Sequence, residues 1–486
     1  MLITDPDWSA PPVAFADAFL DPAGRLKIAR AQNIYDVDFE YGQQSLRWEN
    51  FTAGTGAITH MPMEGGVRLR VAANTDIAIR QSKPYFRYQP SKGVAASAAV
   101  LFGAPATGVI RRVGLFDADN GVFFEQDATG LWAVRRANTG AGVVDTRVAQ
   151  AAWSIDALNG RGRSGRVLDP ARIQMAVLDY AWYGAGRCRL GFVVGGKLLW
   201  CHAFDHANAA GAVLPWARTG NLPCRYELRR TGSGTADFWH WGVSVAVEGG
   251  LDEQRGFTFP HANTARVAVT TRRPILSARV RPLGTIAFSG TATAGGANSL
   301  SVASGWIANQ WRGMHVLLTG GTGAGQLARI TGNTTTTLTV DDPRTLSASP
   351  FAPAPAAGTT FQIGLVNRGQ LVPRQLIVSS DAGATFELVL NGALTGVAWS
   401  DLAASGSPNS LSQTDVAATA ITGGDRVYAA FTPAGGTGVL TFDLRDVQPL
   451  GTNVLGNTPD LLTVVATSLS GTANVAASLL FQEAMA

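Results

Sequence analysis

No segment of this chain holds a 3.6-residue apolar period across eleven or more positions. Amphipathic helices therefore have nothing to be built from. The apolar residues come instead in short alternating runs, broken by glycine, asparagine and aspartate. With 56 glycines and 23 prolines in 486 residues, turns are frequent. Short alternating strands with regular turn signals predict sandwiches or barrels. An apolar fraction of 46% is enough to fill cores, and a charged fraction of 15% excludes both disorder and coiled coils.

The clearest hairpin spans residues 187–204. Arg187 to Val194 reads as a strand, Gly195-Gly196 as a type I′ turn, and Lys197 to Phe204 as the return. Val194 then faces Lys197, Leu190 faces Cys201, and Trp200 falls opposite Gly191. Cys188, Leu190, Phe192, Val194, Leu199 and Cys201 share the core face. Arg187, Arg189, Trp200, His202 and Phe204 share the other. A second meander runs through residues 112–136, with turns at 117–121 and 127–130.

The expected fold class is all-β: a large jelly-roll or concanavalin-like sandwich, then a small β-barrel module and a C-terminal β-sandwich. The expected boundaries are 1–39 for an N-terminal extension, 40–282 for the large sandwich, 283–364 for the module and 365–486 for the last sandwich. The module is rich in serine, threonine and glycine, with Met314 to Leu318 as its central strand and Trp306, Trp311 and His315 as landmarks.

Net charge is +4, but it is a sum of opposed parts. Residues 271–364 hold seven arginines and two aspartates, and residues 365–486 hold four arginines against nine acids. No basic run reaches five residues, so no nucleic-acid footprint is expected. No apolar run approaches the ~20 residues of a membrane span. The start, Met1 to Asp7, places acid where a signal peptide needs base. A soluble chain made in a cytoplasm is expected.

Three cysteines do not make a disulfide framework. Cys188, Cys201, His202, His206 and Cys224 contain no C-x-x-C pair, and Cys201 and His202 point to opposite faces of the hairpin unless a bulge intervenes. Buried thiols are expected, with no metal and no cofactor. Asp117 to Gly121 resembles the start of a calcium loop, but its glycine comes fifth, so a plain turn is favoured over a bound cation. Residues 320–326 are glycine-rich but lack the lysine and helix of a phosphate loop. No nucleophile elbow is present. Paired carboxylates for glycoside hydrolysis would come from Asp117, Glu125, Asp119, Asp156 and Asp179. On balance no enzymatic activity and no catalytic residue are expected. Trp182, Tyr183, Trp216, Trp239 and Trp241 are candidates for contact with a glycan or a partner, with core packing as the competing role.

Several stretches resemble large-bacteriophage virion structural proteins: Arg111 to Asp117 with Asn120 to Glu125, Asp169 to Phe192, and Asn221 to Leu228. Gly323 to Gln326 with Arg329-Ile330 is similar to small β modules of phage tails and fibres. Leu461 to Ala466 and Phe481 to Glu483 resemble an end found in such proteins. The resemblance implies a virion component of tail, fibre or baseplate, or else head decoration. It also implies a homo-oligomer, a trimer above all, with other virion proteins as partners. A host-surface glycan is a further candidate partner, and polysaccharide degradation the least favoured activity.

Overall fold

In the computed structural model, the described residues are 2–3, 13–14, 21–22, 30–140, 142–249, 256–303, 305–405, 409–433 and 439–484. The chain is all-β and divides into two compact units, residues 1–252 with 342–347, and residues 253–341 with 348–486. Among the described residues, no helix is long and apolar enough to cross a membrane.

The first unit is the large, concanavalin-like sandwich. One sheet has seven strands in the order Val143–Ala149, Gly130–Asn138, Gly121–Asp127, Val109–Phe116, Cys224–Arg230, Ile77–Ser82, Trp48–Ala53. The facing sheet has eight. Its path runs Lys197–Phe204, Cys188–Val194, Gln174–Tyr180, Val94–Leu101, Ala236–Glu248, Gly66–Val71, Ala57–Met61, and Ala31–Val37 also pairs with Ala236–Glu248. For the side chains on their outward faces we call these the arginine sheet and the tryptophan sheet.

Period-2 alternation sets which side chains enter the core. Along Val94–Leu101, Val94, Ala96, Ala98 and Val100 are buried, while Ala95, Ser97, Ala99 and Leu101 face outward. Along Ala236–Glu248, Phe238, His240, Val243, Val245 and Val247 point inward. Trp239, Trp241, Ser244, Ala246 and Glu248 therefore point outward, with a register shift between His240 and Val243. Between the sheets, aromatic rings interlock. Phe124 stacks on Phe192 at 4.3 Å, and Tyr226 on His240 at 4.0 Å. Truncating a ring such as Phe124, fully buried, costs about 3–5 kcal/mol.

The hairpin turn is as read: Gly195 and Gly196 both have positive φ, at 59° and 77°. Gly191 lies opposite Trp200, where a Cβ would meet the indole at 3.1 Å. One expectation is corrected. The register slips between Leu190 and Gly191, so Leu190 faces His202 rather than Cys201. A one-residue bulge flips everything beyond it, and Phe204 joins the core cluster instead of the outer face.

The second unit holds the small module and the C-terminal sandwich. In the module a seven-stranded sheet folds about Trp306, Trp311, Val316, Ile330 and Phe361, with His315–Gly320 between Leu327–Asn333 and Thr360–Val366. In the sandwich, a five-stranded sheet faces a six-stranded one across Phe386, Leu388, Val464, Leu479 and Phe481.

The domain boundaries move at two places. Phe257–Ala262 and Val267–Val269 pair with Ala473–Ala484, and Arg273–Val280 pairs with Leu461–Ser468. These strands belong to the last sandwich, not to a large sandwich ending at 282. At the other end, Ala31–Val37 is a strand of the large sandwich, so the extension expected over 1–39 is shorter. Most of residues 1–29 lie outside the described residues.

Candidate functional site

The carboxylates singled out by sequence do not converge. On the arginine sheet, strand pairing puts Glu125, Arg112 and Glu227 side by side in one row. Arg112 bridges the two acids, at 2.6 Å to Glu125 and 2.5 Å to Glu227. Glu227, fully buried, also accepts from Arg225 at 2.5 Å and from Arg229. Burial pushes the Glu227 carboxyl up, but Arg229, Arg225 and Arg112 outweigh it and hold it well below the usual range. Arg147 joins Glu125 to Asp127, and Arg136 clasps Asp145 with two bonds of 2.8 Å. The guanidiniums lie over rings: Arg147 over Trp132, Arg136 over Phe123 and Arg225 over Phe116. This layer is closed, each charge being spent on its neighbours.

The other acids are equally engaged. Asp117 accepts from the amides of Asp119 and Asn120 at 2.8 Å and from the Tyr85 hydroxyl at 3.1 Å, which locks the turn from within. Asp156 caps its loop through the amides of Leu158 and Ser164. Asp179 forms a buried bidentate pair with Arg189, and that guanidinium sits 4.4 Å over Trp200. Asp179 shares a shallow hollow of about 50 Å³ on the tryptophan sheet with Glu248, Ala95 and Ala246.

The thiols Cys188, Cys201 and Cys224 are free and buried, and burial pushes each well above its ordinary value. The bulge turns His202 toward Ser154, whose amide donates to Nδ1 at 3.1 Å. His206 instead contacts Arg135 and the Leu214 carbonyl. Among the described residues, no three His, Cys, Asp or Glu side chains gather as metal ligands.

The five aromatic candidates fall into two groups. Trp216 is 1% exposed and packs edge-on to Tyr180, so it is core. Trp182 is half-buried, donates its indole N–H to the Ala217 carbonyl at 2.9 Å and meets Tyr88 edge-on. Tyr183, beside it, is 58% exposed, with a positive φ of 44°.

The second group is Trp239 and Trp241. They sit two residues apart on the outward face of the tryptophan sheet, half-buried and 16° from parallel, with centroids 6.3 Å apart. The Trp241 N–H donates to the Glu64 carbonyl at 2.9 Å, tying that ring to the 61–66 turn. Gly66 lies beneath, where a Cβ would meet the indole nitrogen at 2.7 Å. Beside them is Arg68, paired across strands with Trp239 and 5.6 Å from its ring centroid. Sequence reasoning passed over Arg68. The alternation Val67-Arg68-Leu69-Arg70-Val71 does place both arginines on the outward face, and their neighbours on Ala236–Glu248 emerge only from the register.

No family model and no curated protein matches the chain. Among solved structures it is similar to an endo-1,3-beta-glucanase from Streptomyces sioyaensis, at 8% identity and TM-score 0.31, covering 45% of this chain and 96% of that one. It is similar to a glycosyl hydrolase family 16 protein from Mycobacterium smegmatis, at 11% identity and TM-score 0.30, covering 44% and 100%. It is also similar to the carbohydrate recognition domain of Emp47p, at 9% identity and TM-score 0.28, covering 44% and 96%. At these identities the likeness is one of fold. It corrects the expectation that the chain is not an enzyme. Two of these neighbours are glycosidases by name, and that expectation is withdrawn. What the chain shares with all three is the concanavalin-like sandwich of an all-β protein.

Proposed function

We propose that this chain is a glycan-binding structural protein of a bacteriophage particle, and that it holds saccharide on the outward face of its tryptophan sheet. The observation that carries the binding reading is the parallel Trp239–Trp241 pair on that face. Two indoles on consecutive outward positions of one strand give a sugar ring apolar surface to lie against, with little conformational entropy to lose. Ser97 and Ser244, opposite one another on adjacent strands, supply hydroxyls to the same face. Tryptophan fluorescence titrated with oligosaccharides tests the reading, and Trp239→Ala with Trp241→Ala should abolish the response.

The virion setting rests on the resemblance of the sequence stretches and on one structural support for self-association. In the C-terminal sandwich the edge strands Asp425–Thr432 and Val439–Asp443 each have one neighbour among the described residues. Phe431 is 66% exposed on one, and Val439 64% on the other. Open edges with exposed apolar side chains invite another strand, and a second copy of this chain is the occupant proposed. Light scattering of the whole chain tests it: an oligomer is expected, and a clean monomer at micromolar concentration contradicts it.

A further inference from the structure

The charges around the tryptophan pair are unequal, and the inequality selects among glycans. The face of Gly66–Val71 carries two outward arginines, Arg68 and Arg70. Arg70 is neutralised by Asp237 through two bonds of 2.7 Å. Arg68 makes no ion pair among the described residues, and its Nε, shielded from solvent, has no hydrogen-bond partner. Its cross-strand neighbours are Thr59 on one side and Trp239 on the other, neither of them acidic. The Glu64 backbone is engaged by Trp241, but Glu64 and Arg68 are not paired. A cation lying over one ring of the aromatic pair is thus left without a counter-charge. This contrasts with the arginine sheet, where five guanidiniums each reach a carboxylate.

We infer that the tryptophan face selects acidic saccharides, with the sugar ring against Trp239 and Trp241 and a ring carboxylate on the guanidinium of Arg68. The assignment rests on the glycan reading above and adds the chemical class of the ligand. A uronic acid carries both required features, an apolar C–H face and a planar carboxylate able to accept two parallel N–H bonds from a guanidinium. Arg68 is already held over Trp239, so little side-chain freedom remains to be lost on binding.

The test uses the full chain and one backbone in two charge states: a hexamer of galacturonic acid and its methyl ester, measured by calorimetric titration. The acid form should bind about tenfold more tightly than the ester, the worth of one charge-assisted hydrogen bond. Raising the ionic strength should erode that preference. Arg68→Gln should bring the two forms level, and Arg68→Lys should restore part of the preference, because charge returns without the planar fork. Trp239→Ala should weaken both forms together. Equal binding of acid and ester by the wild-type chain overturns the acidic assignment and leaves the glycan reading standing. Binding of neither form overturns both. A preference that survives Arg68→Gln overturns the role of Arg68. If that variant does not fold, the wild-type comparison of acid and ester decides alone.

Discussion

On the outward face of the arginine sheet, Arg112, Arg136, Arg147, Arg225 and Arg229 each reach a carboxylate, and rings fill the space beneath. On the outward face of the tryptophan sheet, Asp237 takes up Arg70 and Asp179 takes up Arg189, while Arg68 stands beside two half-buried indoles. Both faces belong to one sandwich and draw on the same residue types. They differ in how completely their charges are paired. A layer whose guanidiniums all reach carboxylates fixes geometry and leaves no cation for a ligand. An incompletely paired one keeps a cation and ring surface in reserve, and that is where recognition is sought.

The sharpest way to break this contrast is Glu227→Gln. It leaves Arg112, Arg225 and Arg229 without their shared counter-charge in a buried site, which should cost about 3–5 kcal/mol in urea unfolding. A loss below ~1 kcal/mol would mean that the layer is solvated and not structural.

Acid should act on the same layer. Burial raises the Asp127 carboxyl, but Thr129 and Arg147 bring it down to about 2, and Asp145 and Glu227 are also held below their usual range. A depressed folded value gives stability that is present above the unfolded value near 4 and is lost as pH falls through the folded one. Stability of the large sandwich should therefore decline between pH ~4 and ~2.

Buried histidines add a component at milder pH in both units: burial holds His240 and His202 of the large sandwich below the ordinary histidine value, and His261 of the second unit likewise. Burial pulls His261 down to about 4 from 6.5, and its Nε2 lies 3.0 Å from the Ser412 hydroxyl. The unfolded chain binds that proton first, so stability should fall as pH drops from 6.5 toward 4. A pH series of melting curves for His261→Gln should lack the His261 part of this component.

Smaller effects belong to the tryptophan face. Trp239→Ala should reduce saccharide affinity about tenfold, with a stability loss well under that of Glu227→Gln. Phe431→Lys should shift self-association without changing saccharide binding.

Much of the fold is legible from alternation. The outward placement of Trp239 and Trp241 follows from Phe238 and His240 pointing inward, and the hairpin tip follows from Gly195-Gly196. The bulge at Cys201 leaves no mark in the pattern, because one inserted residue still reads as a strand. The membership of residues 257–280 was also hidden, since their partners lie about 200 positions away and no local signal names them. The arginine layer is hidden for the same reason: Arg112 and Glu227 become neighbours only once the register is known. Arg68 was readable as an outward residue but not as one without a carboxylate.

The most direct test of the account is oligosaccharide binding by the wild-type chain set against the Trp239→Ala, Trp241→Ala double variant. Saturable binding that is lost in a folded double variant is the predicted result. Undiminished binding by that variant, or none by the wild-type chain, would contradict it.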